Sequence, residues 1–313
     1  MKRRIIIDTD PGQDDAVAIL LALASPDDLD VAGIVAVGGN VPLALTEKNA
    51  RRLVELAGRA DVPVYAGCSR PMVRKLRTAE HVHGRTGLDG YALPEPTVPL
   101  APGHGVDFIV ETLMAAPPKE ITLCTLGPLT DVAMALVKQP AIAERVREIV
   151  MMGGAYFEVG NITPTAEFNI FVDPEAADIV FQSGIPITMA PLDLTHRVLT
   201  TAPRRQAFSD LGNRAGAAVH GLLGFSERFD LAKYGGIGAP LHDPCVIAWL
   251  LKPELFKGRS INVSIETKSE LTLGMTVADW WRVTDRPANA LFLREADADG
   301  YYALLRERIA RLP

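Results

Sequence analysis

Short apolar runs rich in β-branched residues recur along this chain, and most are followed by a stretch with helical spacing. Residues 5–7, 31–37, 62–65, 121–126, 148–152 and 185–190 read as strands. Residues 15–24, 46–57, 106–115, 131–137 and 174–183 read as helices between or after them. Strands joined by crossover helices pair in parallel and carry helices on both faces of the sheet. The strand runs are nearly continuous in apolar residues, as strands covered on both faces must be. The expected fold is a single-domain, three-layer α/β/α unit over 1–313 with a mostly parallel central sheet. With 313 residues, 48% of them hydrophobic, the chain can fill one large core, and no linker or low-complexity segment divides it. Two regions lack the alternation. Residues 68–105 are rich in Pro, Gly and His, as long functional loops are. Residues 196–240 are expected to form helices and loops over one end of the sheet.

Charge and cysteine usage narrow the function classes. A net charge of −6 with no basic stripe argues against nucleic-acid and anionic-membrane partners. Cys68, Cys124 and Cys245 are far apart and odd in number, so neither a disulfide framework nor a zinc cluster is expected. The basic start MKRR runs straight into IIIDTD, whose acids break the apolar run, and no apolar run reaches membrane-spanning length. A cytoplasmic protein with reduced thiols is expected.

The informative polar residues follow the strand runs: Asp8 and Asp10, Asn40, the Gly127-Pro128 turn with Thr130 and Asp131, Gly153-Gly154, and Asp193. Ligands of open α/β sheets bind outside the carboxyl ends of the strands, so these segments can meet in one place. The motif Asp8-Thr9-Asp10-Pro11-Gly12-Gln13-Asp14-Asp15 holds four carboxylates within eight residues. They repel one another unless a cation or a proton compensates. An all-oxygen set fits Ca²⁺ or Mg²⁺ better than Zn²⁺. Helix capping would account for one of these Asp residues but not for four, and Asp8 has a structural reading as well.

Two further constellations stand out. Asp243-Pro244 has the form of a helix cap followed by a first-turn proline, but His242 precedes it, and a His beside an Asp near a metal can act as an acid. Asp173-Pro174 has the same form without a His and reads as structural. In the run 161–169, Asn161, Glu167 and Asn169 surround Phe168. That set suits a sugar diol or a polar turn equally.

Together these segments resemble the inosine–uridine-preferring nucleoside hydrolase family, from Ile5 to about Asp285. The resemblance is carried by DTDPGQDDAVAILLAL at 8–23, GGN at 38–40, LGPLTDVAMAL at 126–136, MGGAY at 152–156, AEFNIFVDPEAA at 166–177, LDLTHR at 192–197, HDPC at 242–245 and LTLGMTVADW at 271–280. It implies hydrolysis of the N-glycosidic bond of ribonucleosides. It implies Ca²⁺ held by Asp10, Asp15, Asp243 and the main-chain carbonyl of Leu126, with the ribose 2′- and 3′-hydroxyls and one water completing the shell. Asp10 would take the proton of that water. Asp14, Asn40, Asn161, Glu167 and Asn169 would hold the ribose hydroxyls, Phe168 would pack beside the sugar, and His242 would face the leaving base. A homotetramer or dimer and a role in nucleoside salvage are implied as well.

The loop around His83 and the aromatic Tyr234 resemble the branch that prefers pyrimidines. Asp230 stands where that branch often has Gln. An ionised Asp accepts but cannot donate, which would favour the amino group of cytidine over uridine. The alternatives are a hydrolase acting on both purine and pyrimidine nucleosides, and a non-catalytic nucleoside-binding protein. Asp8-Thr9-Asp10 also resembles the strand end of aspartate-nucleophile phosphatases, but the phosphate-binding lysine and the later motifs of that class are not found. No GxGxxG follows a strand, which sets dinucleotide binding aside.

Overall fold

The computed structural model describes residues 2–313, apart from the side chains of Asp230 and Tyr234. Its strands are β1 (Arg3–Thr9), β2 (Leu29–Ala36), β3 (Val64–Ala66), β4 (Ile121–Thr125), β5 (Glu148–Met152), β6 (Ile187–Ala190), β7 (Leu199–Thr201), β8 (Gly238–Pro240), β9 (Phe256–Ile261), β10 (Val263–Ile265), β11 (Thr276–Ala278) and β12 (Ala290–Ala296). Eight of them form one sheet in the order β3-β2-β1-β4-β5-β6-β12-β9. All neighbours pair in parallel except β9, which runs antiparallel to β12 at the edge.

The reason for the layering is visible in β1. Its residues Ile5–Thr9 are all buried. Ile5 and Ile7 join the core on one face of the sheet, and Ile6 joins the core on the other. Successive side chains of a strand point to opposite faces, so a run of three isoleucines serves both. The helix Gln13–Leu23 is buried nearly all round because it is covered in turn by the helices Pro244–Leu251 and Arg214–Tyr234. A helix apolar on every side belongs in such an inner layer.

This order places the site. From β1 the chain winds to β2 and β3 in one direction; β4, β5 and β6 lie on the other side. The carboxyl ends of β1 and β4 therefore flank the crevice where the winding reverses, the position at which open α/β sheets bind ligands. The stretch 68–105 carries only one short helix, Glu80–His83, before the helix Gly105–Ala115 begins. Within 196–240, helices Ala202–Ser209 and Arg214–Tyr234 are joined by a small antiparallel pair, β7 with β8. Among the described residues no helix is long and apolar enough to cross a membrane.

Candidate active site

Asp10 follows the last residue of β1 and is fully buried. Its Oδ2 accepts the backbone N–H of Asn40 at 2.7 Å. Its Oδ1 is buried with no hydrogen-bond partner. Two backbone turns press on this carboxylate. A Cβ on Gly39 would stand 2.0 Å from Oδ2, and one on Gly127 would stand 2.4 Å from Oδ1. The turns after β2 and after β4 thus need glycine so that the backbone can close on Asp10.

Beside it, Asp15 accepts from Thr9 Oγ1 at 2.5 Å and from the backbone N–H of Gly12 at 2.9 Å. Asp14, Asp15 and Asp243 each bring a carboxylate oxygen within 4.8 Å of the others. The N-termini of the helices Gln13–Leu23 and Pro244–Leu251 meet there, and their dipoles favour negative charge. The two Asp-Pro pairs, alike in sequence, part company. Asp173 caps its helix through Ala176 N at 3.1 Å and also accepts from Thr130 Oγ1 at 2.7 Å and Met72 N at 2.9 Å. Asp243 makes no capping hydrogen bond, and its carboxylate belongs to the acidic cluster.

Burial, and then mutual repulsion, push these carboxyls upward. Asp10 and Asp243 lie well above the usual carboxylate range, Asp15 is raised, and Asp14 is raised to about 6 by burial. A buried all-oxygen cluster with an unpartnered Asp10 oxygen fits a hard divalent cation, which would offset both costs.

A pocket opens above this floor, lined by Asp14, Asn40, Leu126, Glu167, Phe168 and Asn169 at its base. Asn169 Nδ2 donates to the carbonyls of Leu126 at 2.7 Å and Met152 at 3.2 Å, tying the ends of β4 and β5 together. Asn40 Nδ2 donates to Asp10 O at 3.2 Å and to Asp15 Oδ2 at 3.3 Å. Both amides spend their donors on the scaffold, so the atom each offers a ligand is its acceptor oxygen. Glu167 has a second task. It caps the helix Phe168–Val172, accepting from Asn169 N and Ile170 N, and binds Gly154 N at 2.9 Å. Burial raises it to about 7. Asn161 accepts from Phe168 N at 2.9 Å and also lines the pocket.

His83 and His242 line the walls. His83 Nδ1 lies 2.7 Å from Gln13 Oε1, and His242 Nδ1 lies 2.8 Å from Thr195 Oγ1. Burial pushes them down to about 4 and about 3. Both imidazoles are therefore neutral at neutral pH.

Over residues 5–303 the sequence matches one known family, that of the inosine-uridine preferring nucleoside hydrolases. The chain belongs to that family. It is a nucleoside hydrolase enzyme. An uncharacterized protein of Schizosaccharomyces pombe is 53% identical over 99% of this chain and 100% of its own length. The pyrimidine-specific ribonucleoside hydrolase RihA of Photobacterium profundum is 46% identical over 99% of both chains. Among solved structures, the purine-preferring ribonucleoside hydrolase from Gardnerella vaginalis superposes with a TM-score of 0.92 at 31% identity, covering 98% of each chain.

Several features of the hydrolase differ from the reading of its sequence. The four carboxylates of the N-terminal motif do not gather as one. Asp8 points into the opposite core, as its parity with Ile6 requires, and its repulsive neighbour there is Asp131. The carboxylates that do meet are Asp10, Asp14, Asp15 and Asp243, the last from a segment more than two hundred residues away. Thr130, Asp131 and Asp193 serve the scaffold rather than the pocket wall. Lys233, which had no role assigned from sequence, lines the pocket and donates to the carbonyl of Asn161 at 2.6 Å. His81, His196 and Phe229 also line it and were not singled out from sequence. The expected base contacts Asp230 and Tyr234 have side chains outside the described residues.

Proposed function

We propose that this hydrolase cleaves the N-glycosidic bond of pyrimidine ribonucleosides, uridine and cytidine, at a Ca²⁺ site made by Asp10, Asp15, Asp243 and the carbonyl of Leu126. The observation that carries the reading is the ring of acceptors over a buried carboxylate floor. Asn40 and Asn169 present oxygens because their amide donors are engaged, and Asp14 adds a carboxylate. Such a ring recognises a ligand that donates several hydrogen bonds from neighbouring atoms, as a ribose diol does. The cation, when bound, lowers the pKa of a water and anchors the diol.

The chain's own residues then divide the work. Asp10, raised by burial, is a stronger base than an exposed Asp and takes a proton from the attacking water. The water oxygen joins C1′ as the bond to the base breaks, and positive charge grows on the sugar. The carboxylates beneath stabilise that charge. Phe168 packs beside the sugar, Asn161 and Glu167 complete its polar shell, and His83 with His242 offers neutral ring nitrogens to the base. Pyrimidine preference is supported by the 46% identity to a relative named as pyrimidine-specific, against 31% to one named as purine-preferring. Dimers or tetramers are also proposed. This rests on the family resemblance, and sedimentation as a monomer would overturn it.

The test is ribose release from uridine, cytidine, inosine and adenosine, with and without a chelator. Calcium-dependent release from the two pyrimidines is expected. Equal release from all four would remove the base preference. No release from any of them with calcium present would remove the hydrolase reading of this site.

A further inference from the structure

Asp243 reaches the acidic cluster from a segment that its own helix does not hold. It stands at the N-terminal end of the helix Pro244–Leu251 with φ −64° and ψ −35°, and its carboxylate makes no capping bond. Its direction therefore follows the backbone that enters the helix, residues 241 and 242. That backbone is under load. Asp243 is fully enclosed, and Asp14, Asp15 and Asp10 all repel its charge. Withdrawal of the turn would relieve the metal-free cluster.

What opposes withdrawal comes from the last helix of the chain, Ala298–Ile309, sixty residues further on. Tyr301 is fully buried, and its hydroxyl donates to the carbonyl of Leu241 at 3.2 Å. Burial holds that hydroxyl protonated, well above the usual phenol range, so it stays a donor. The other donor to this carbonyl is the thiol of Cys245 at 3.7 Å, a weak one. On its other side, Leu241 donates its N–H to the carbonyl of Val198 at 3.2 Å. Tyr302 donates to that same carbonyl at 3.2 Å, and Thr200 Oγ1 lies 2.7 Å from its hydroxyl. The two rings meet edge to face at 5.2 Å between centres. Phe256 packs against Tyr301 at 6.3 Å, and the Arg204 guanidinium stands 4.5 Å over Tyr302. In so dense a setting neither hydroxyl swings away without moving its neighbours.

Resting on the calcium reading above, we propose that Tyr301 and Tyr302 are positioning residues for the metal. They clamp Leu241 on both sides and hold Asp243 in place before the cation arrives. Neither tyrosine lines the pocket, so the effect runs through the backbone. Ligands already held against their own repulsion bind with less reorganisation. With a hydroxyl gone, the turn relaxes outward and must be drawn back on binding. The change belongs to affinity, and the loaded site regains its geometry.

The test is calcium binding to the chelator-stripped protein by isothermal titration calorimetry, with no substrate present. Tyr301→Phe keeps the ring and removes the donor. Its calcium Kd is expected to rise about tenfold, the lower end of what outer partners of metal ligands carry. Its uridine kcat at saturating calcium should return to within about threefold of wild type, the split expected of a loss in affinity alone. Tyr302→Phe acts one bond further out and is expected to raise Kd about threefold; it decides the matter should Tyr301→Phe fail to fold. Asp297→Ala removes the cap of the same helix, where Asp297 accepts from Gly300 N at 3.0 Å. It should lower Tm and leave the calcium Kd within about twofold, because the clamp is intact. Unchanged Kd in the tyrosine variants that fold would overturn the clamp. Equal weakening in Asp297→Ala would mark a general loosening of the helix and overturn it too. A wild-type protein that binds no calcium would instead overturn the metal reading on which the clamp rests.

Discussion

Replacing Asp10 by Asn should inactivate this enzyme and make its metal-free form more stable. The amide is the same size as the carboxylate. Its oxygen can keep the 2.7 Å bond from Asn40 N, and its NH₂ can occupy the place of the unpartnered Oδ1. The fold should therefore survive. What disappears is a charge beside Asp15 and Asp14, the two groups that repel Asp10. The oxygens of the neighbouring trio lie within 4.8 Å of one another, which sets the scale. Two unit charges at about 5 Å and an effective dielectric of about 20 repel by roughly 3 kcal/mol. Partial protonation already relieves some of this, so a gain of about 1–2 kcal/mol is expected at pH 8 under chelation. That corresponds to a rise of about 1.5–3 °C in Tm by calorimetry for a chain of this length. Loss of a positioned base costs about 10²–10⁴ in rate. The assay is uridine turnover across a calcium titration carried to saturation, since one ligand is weakened by the change. Turnover within tenfold of wild type at saturating calcium would refute Asp10 as the base. A lower Tm in chelator would refute the electrostatic account of the cluster.

Three other outcomes are expected. In chelator, stability should fall as pH rises from about 4 to about 7. Asp14 and Glu167 bind their protons more tightly folded than unfolded, with values raised to about 6 and about 7, so folding is favoured below the unfolded values and disfavoured as they ionise. Thermal melts across pH with and without calcium would check this, and a chelated protein more stable at pH 8 than at pH 5 would contradict it. Asp173→Ala should cost about 2–4 kcal/mol in urea unfolding, because a cap and two further donors lose their acceptor, with kcat changed less than about threefold. Finally, 2′-deoxyuridine should be hydrolysed at least about 10²-fold more slowly than uridine, since one hydroxyl no longer meets the acceptor ring; comparable kcat/KM values would remove the diol reading.

The parallel sheet was legible because its strands are buried on both faces and so read as apolar blocks. Residues 148–152 match β5 to the residue. The C-terminal strands were not legible. β9, Phe256–Ile261, carries Lys257 and Arg259 and is exposed except at its two ends, as an antiparallel edge strand is. β7 and β8 have three residues each, too few to show a period. The floor of the site was legible because carboxylates crowded at a strand end repel one another, and a chain that keeps them there has a cation or a proton to offset the cost. The family resemblance added Asp243 to that set, where local pattern alone favoured a cap. The scaffold tasks of Glu167 and Asn169 could not be read, because they depend on backbone groups brought close only by folding. His196 went unassigned for the same reason: its partner Glu158 lies on a different loop.

The amides of Asn40 and Asn169 have a consequence for how such a protein can change. The atoms that hold its backbone turns together are bonded to the same side chains that line the pocket. A substitution at Asn169 would also loosen the ends of β4 and β5, and one at Asn40 the turn after β1, so each is opposed twice. His81 and Phe229 sit on a short helix and on the far end of a long one, and no strand end hangs on them. New base preferences are therefore accessible by small steps in the roof, whereas a new sugar would require rebuilding the frame. Redesign aimed at modified bases has its freedom around those two residues and almost none below them.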